Sequence, residues 1–277
     1  MVSYLRPTQL DNALTALAEQ NLTVIAGATD YYPAQVGRYS RNDILDLSAI
    51  KNLSGISLDE ARNYWRIGAI ATWQDLLEAE LPSCFDGLKA AARQIGGQQI
   101  QNCATIAGNL CNASPAADGV PPLLTLEARL VLQAQAGKRE VALSDFILGN
   151  RQTALKAGEL LTEILIPKEI EHGRSGFLKL GARKYLVISV VMVAGLVFLD
   201  KQRRVVSAKV SVGSCSETAV TLPELEADLI GRQYSPNFVT SNHLRHLTAI
   251  DDHRGTAEYR LDAALTLIRR LLSDLAV

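Results

Sequence analysis

The chain has 277 residues, enough for two ordinary domains or one large domain with a sizeable core. Hydrophobic residues make up 48% and charged residues 21%, which excludes a disordered chain. The 28 basic and 29 acidic side chains leave a net charge of -1; that removes the electrostatic footprint of a nucleic-acid binder and favours small molecules or protein partners.

Read in chain order, "RPTQLDNALTALAEQ" places Leu10, Ala13, Leu14 and Leu17 on one helical face, with Thr8 as its cap. In "TVIAGATDYYPAQVG", Val24 and Ile25 read as a short buried strand, Gly27 permits a tight or left-handed backbone, and Thr29 is placed to cap the helix that follows. Strands are expected at 43–50 ("DILDLSAI") and 64–72 ("YWRIGAIAT"). A helix is expected at "WQDLLEAEL", with Thr72 at its start, and another at "GLKAAARQIGG". Past Pro121 and Pro122, "LLTLEA" reads as a helix, and "ARLVLQAQAG" and "REVALSDF" as a hairpin turning at Gly137 and Lys138. The loop-like "PKEIEHGRSG" (167–176) marks a domain boundary, giving domains at 1–170 and 171–277. Beyond it lie three strands and an amphipathic closing helix with Leu261, Leu265, Ile268 and Leu272 on one stripe.

Cys84, Cys103, Cys111 and Cys215 form no C-x2-C pair, so neither a zinc ribbon nor a self-contained iron-sulfur site is encoded, and buried thiols in a reducing cytosol are expected. The start of the chain lacks the apolar core of a signal peptide. The longest apolar run, 185–199, falls short of the roughly 18 to 20 residues of a spanning helix. The chain therefore reads as cytoplasmic, without a membrane span. His243, His246 and His253 read as solvated surface histidines, not as metal ligands.

The most unusual stretch is "NCATIAGNLCNASPAADGVPP" (102–122). Thr105, Asn109, Asn112, Ser114 and Asp118 alternate there with small residues that let backbone come close to a ligand. Amide groups in such turns bind anions without a lysine. Two such turns, at 26–30 and 105–109, are placed to grip the halves of a pyrophosphate, and a dinucleotide is the obvious ligand. Neither G-x-x-x-x-G-K-[ST] nor G-x-G-x-x-G between strand and helix is present.

The pair "AGATD" and "ATIAGNLCNASPAAD" resembles the AGGTD and ATIGGN-x3-ASP-x2-D motifs of the FAD-binding medium subunits of molybdenum hydroxylases, the xanthine dehydrogenase and carbon monoxide dehydrogenase family. "LLTEILIP", "FLKLGARKYLVISVVMVAGLV" and "GTAEYRLDAALTLIRRLL" are similar to later segments of that family, in order. The resemblance implies an α+β fold. A two-subdomain FAD-binding region of the vanillyl-alcohol-oxidase (PCMH) type is followed by a small α+β domain with a three-stranded antiparallel sheet. It also implies an electron relay in a heteromeric complex: one partner subunit carries the molybdenum cofactor, another carries [2Fe-2S] clusters, and FAD on this chain passes electrons to NAD or another acceptor.

Carried over by resemblance, Val24, Ile25, Ala26, Gly27, Ala28, Thr29 and Asp30 form the first pyrophosphate turn, and Thr105, Ile106, Ala107, Gly108 and Asn109 the second. Asp118 bonds the cofactor, Leu161 packs against it, and Lys179 lies near the flavin end. Asp30 is expected in the first turn of a helix, turned from the phosphates. Ala28 and Ala107 stand where the family has a second glycine, and each disfavours a positive φ. "SVGSCSETAVTLPELE" also departs from the family's glycine- and alanine-rich stretch. Against the electron-relay reading stands a flavin-less scaffold keeping the same fold.

Overall fold

The amphipathic face of the first helix and the short apolar runs on either side of it build one layer. In the computed structural model, which describes residues 3–37 and 42–276, β1 (Tyr4–Leu5), β2 (Thr23–Ile25) and β3 (Ile44–Asp46) form a parallel sheet in the order β1-β3-β2. The helix Leu10–Glu19 connects β1 to β2 and buries Ala13 and Leu14. Its N-cap is Gln9, not Thr8, and makes no side-chain capping bond. Asp46 at the end of β3 is buried; it accepts from the Tyr4 hydroxyl at 2.7 Å and the Ser48 amide at 2.9 Å, with Arg6 Nε at 3.3 Å.

The second layer is antiparallel. β4 (Ile56–Asp59), β5 (Tyr64–Gly68), β6 (Arg129–Ala134) and β7 (Gly137–Ala142) are followed by a small hairpin of β8 (Ile147–Gly149) and β9 (Gln152–Thr153), and then by β10 (Leu160–Pro167). The sheet order β4-β5-β10-β6-β7 makes β10 central, which accounts for its near-continuous burial. The β6–β7 turn falls at Gln135 and Ala136, earlier than expected, because Gly137 already pairs with Ala134. Thr72 caps the helix Trp73–Glu78 as expected, in a capping box with Asp75. The helix after it is shorter than its apolar pattern, Asp86–Ala92, and the one at the two prolines is Val120–Thr125.

β11 (Arg174–Leu180), β12 (Val191–Leu199), β13 (Val205–Gly213) and β14 (Val220–Thr221) form an antiparallel sheet. Three strands are long; the two-residue β14 is a fourth that the sequence pattern did not show. Only 191–199 of the apolar run 185–199 is strand, and Tyr185, Leu186 and Ile188 lie exposed on the preceding loop. The closing helix Ala257–Ala276 packs on β11 and β12, with Leu271 and Leu275 over Gly176 and Gly195. A Cβ on Gly176 would lie 2.8 Å from Leu271, so the glycine sets how closely the helix sits. The C-terminal sheet is joined to the helix Asp86–Ala92, where the Gly87 amide donates to Ser175 Oγ at 2.8 Å. Among the described residues no helix is long and apolar enough to cross a membrane.

Two expectations about single side chains are corrected. His243 is buried, not solvated: its Nδ1 accepts from the Thr240 amide at 3.0 Å and its Nε2 lies 3.3 Å from Asp228. Cys84 and Cys215 are buried free thiols, whereas Cys103 and Cys111 are exposed.

Candidate cofactor-binding cleft

The first small-residue turn leaves the end of β2 and meets the second directly. A Cβ on Gly27 would lie 1.8 Å from the Cys103 carbonyl oxygen, so only glycine lets the two backbones touch. Backbone bonds pin the second turn to the start of the helix Trp73–Glu78: Trp73 N donates to Ala104 O and Ile106 N to Ala71 O, each at 3.1 Å. Thr105 then caps the helix Ile106–Asn112, its Oγ1 accepting from Gly108 N at 3.0 Å. A Cβ on Gly108 would sit 2.7 Å from that oxygen, so glycine keeps the mouth of the cap open.

Around these turns lies a cavity of about 480 Å³ walled by Val24 to Asp30, Thr105, Gly108 and Asn109. It is continuous with a larger cavity of about 810 Å³ that includes Asp118 and Lys179. Asp30, Ile95, Asn109, Asn112 and Arg151 line both, so the two are lobes of one cleft.

Most of the expected site residues are thus brought together, and three are not in its walls. Ile106 and Ala107 are buried behind the second turn. Leu161 is buried in β10 opposite Leu132 and lines neither lobe, because the central strand is covered on both faces. Thr29 lines the smaller lobe but does not cap the next helix; the N-cap of Tyr31–Ala34 is Asp30, without a side-chain bond, and Asp30 is not in the first turn and turned away as expected but lines both lobes. The two alanines behave differently. Ala28 has φ +52°, the conformation glycine would relax, whereas Ala107 lies inside a helix where alanine is the best residue.

The larger lobe contains a buried charge pair. Lys179 Nζ donates to Asp118 Oδ2 at 2.6 Å, and Ser189 Oγ to Asp118 Oδ1 at 2.5 Å. Burial pushes the Asp118 carboxyl up, against the pull of the Lys179 ammonium and the Ser189 hydroxyl. Ser214 Oγ donates to Ser189 O at 3.1 Å, and the buried Arg260 donates to Ser214 O at 2.7 Å and Val190 O at 2.5 Å. The C-terminal helix thereby braces the lobe wall.

Sequence reasoning missed Ser189, Arg260 and Arg151. Arg151 lies between β8 and β9 at φ +60°, and its Nη1 donates to Asp30 Oδ2 at 2.8 Å. The signal open to a reader was "GNR", a hairpin-turn sequence, but nothing local says that this hairpin reaches the first turn.

Residues 1–169 match the family described as the FAD binding domain in molybdopterin dehydrogenase. The chain belongs to this family. Residues 176–275 match the CO dehydrogenase flavoprotein C-terminal domain. Among relatives of this FAD-binding chain, the nicotinate dehydrogenase FAD-subunit of Eubacterium barkeri is 38% identical over 173 residues, 61% of this chain and 58% of that relative. The glyceraldehyde dehydrogenase medium chain of Sulfolobus acidocaldarius is 28% identical over 99% of this chain and 98% of its own. A likeness of fold extends to the crystal structure of the Cu,Mo-CO dehydrogenase in its cyanide-inactivated form, with a TM-score of 0.90, 24% identity, and coverage of 99% of this chain and 97% of that one. The chain is thus the FAD component of a molybdenum-hydroxylase oxidoreductase. Its cleft suits the cofactor: a glycine cradle where backbone meets backbone, a capped helix start beside it, and a second lobe with hydrogen-bonding side chains.

Proposed function

We propose that the chain is the electron-transfer flavoprotein of a multi-subunit molybdenum hydroxylase. It would take electrons from [2Fe-2S] clusters on one partner subunit, in a complex whose molybdenum cofactor sits on another, and pass them through FAD to NAD or a comparable acceptor. The observation that carries the reading is the two-lobed cleft formed where the turns at 26–30 and 105–109 touch. The names of the relatives, FAD-subunit and medium chain, support the division of labour.

In this reading Val24 to Asp30, with Thr105, Gly108 and Asn109, hold the pyrophosphate and adenosine half, and the Asp118–Lys179 pair meets the flavin half in the larger lobe. The bound flavin supplies the redox chemistry. The residues of this chain bind it, fix its orientation and keep one charged pair beside it. Lys179, fixed by Asp118, presents a cation at the lobe wall, where negative charge on a ring would be favoured. The FAD-binding domain is taken to end at residue 170 and the C-terminal domain to begin at 171.

The test is the visible absorption spectrum of the purified chain, before and after addition of FAD, with mass analysis of the bound material. Near one FAD per chain is expected, together with co-purification of the two partner subunits. A chain that takes up no flavin, even with excess FAD and the partners present, would overturn the reading and leave the scaffold alternative.

A further inference from the structure

The smaller lobe has a charge to balance. If it holds a dinucleotide, a pyrophosphate with two negative charges must lie beside the carboxylate of Asp30, which belongs to the same wall. Among the described residues, Arg151 is the one basic side chain lining that lobe. It also lines the larger one, so it stands where the halves of the cofactor join.

Its conformation is held from several sides. The Arg151 amide donates to Ala113 O at 2.9 Å, with both residues in the left-handed region. The guanidinium Nη1 donates to Asp30 Oδ2 at 2.8 Å and also to Asn112 Oδ1. Nε and Nη2 have no protein partner among the described residues. An exposed Asp–Arg pair of this kind contributes little to stability, so stability does not explain a strained arginine tethered at one corner of its fork. A guanidinium with one nitrogen anchored and two free offers the parallel donors that phosphate oxygens take.

We propose that Arg151 is a cofactor-binding residue: anchored through Nη1 by Asp30 and Asn112, it donates from Nε and Nη2 to the pyrophosphate of the dinucleotide and fastens the β8–β9 hairpin over the first turn. This rests on the FAD reading above. Asp30 then has a positive role, holding the arginine that cancels its own charge.

The experiment titrates the full chain, stripped of flavin, with FAD, ADP and riboflavin, for the wild type, Arg151→Gln and Arg151→Lys. Flavin fluorescence and calorimetry give the affinities, and circular dichroism checks folding. Arg151→Gln is expected to weaken FAD and ADP about ten- to a hundredfold, the loss of hydrogen bonds to a charged group, and to leave riboflavin, which has no phosphate, unchanged. Arg151→Lys recovers part of the loss, since lysine keeps the charge without the fork. In an Asp30→Asn background the penalty of Arg151→Gln persists. Equal weakening of riboflavin, unchanged FAD affinity, or a penalty that vanishes with Asp30→Asn would each overturn the proposal. A wild-type chain that binds no FAD would instead overturn the flavoprotein reading, and this one with it.

Discussion

Ala28 carries a conformational cost that its neighbours do not share. A non-glycine residue in the left-handed region is disfavoured by about 1–2 kcal/mol, and the greater freedom of glycine in the unfolded chain offsets part of that. Ala28→Gly is therefore expected to stabilise the protein by about 0.5–1 kcal/mol, read from urea unfolding; a neutral or destabilising result would show that the alanine methyl makes contacts that compensate. Gly27→Ala is the opposite case, because its methyl would collide with the Cys103 carbonyl. Near-complete loss of bound FAD is expected, with stoichiometry as the readout, and retention of one FAD per chain would contradict the abutting turns. Both glycine-like positions were visible in "AGATD", and so was the fact that Ala28 breaks the pattern. That Ala107 is harmless was not visible, since its φ depends on where the helix begins.

At the scale of the element, the parallel sheet that aims the first turn depends on one buried carboxylate. Burial alone would raise Asp46, but the Ser48 amide, the Tyr4 hydroxyl and Arg6 more than offset it, so its folded pKa lies below the ordinary 3.8. The same hydrogen bond pushes Tyr4 up to about 12. A depressed carboxyl contributes stability that is present above its unfolded pKa and is lost as pH falls through the folded one. Asp46→Asn is expected to lower stability at pH 7 by about 1–3 kcal/mol, through partners left unsatisfied. It should also flatten the dependence on pH below about 4, measured by urea unfolding across an acid series. Parallel slopes for wild type and variant would refute this role. Elements with a strong local signal, such as the helix that Thr72 starts, could be read in the sequence. Those set by remote packing were not: His243 is drawn into the interior by the Thr240 turn and Asp228, and β14 exists only because β13 offers it an edge.

Taken whole, the molecule ties its C-terminal helix to the cleft through Arg260, which is 1% exposed. Its guanidinium reaches the Val190 and Ser214 carbonyls and, at 2.5 Å, Asp252; Ser214 and Asp252 in turn line the larger lobe. Arg260→Gln strands those acceptors and is expected to cost about 3–5 kcal/mol, with loss of FAD in parallel, followed by thermal melts and flavin content. A destabilised variant that retains flavin at full occupancy would uncouple the helix from the site. This coupling could not be read from the sequence, where Arg260 is one arginine among several on an amphipathic helix. The order of the family motifs, by contrast, carried the succession of a FAD-binding region and a C-terminal α+β domain, though not the fourth strand of its sheet.

The contact of Gly27 with Cys103 also bears on how the site comes into being. The two turns of the smaller lobe come from segments almost eighty residues apart, and neither has the other's backbone to lean on until the chain has closed that long loop, at a cost in entropy. Neither turn alone forms the cradle, which is complete only when both are folded. A ligand that binds only the completed pair adds its binding free energy to the folded state, about 2.7 kcal/mol at a hundred times its dissociation constant. Supply of the flavin would then bear on how long the newly made chain survives proteolysis.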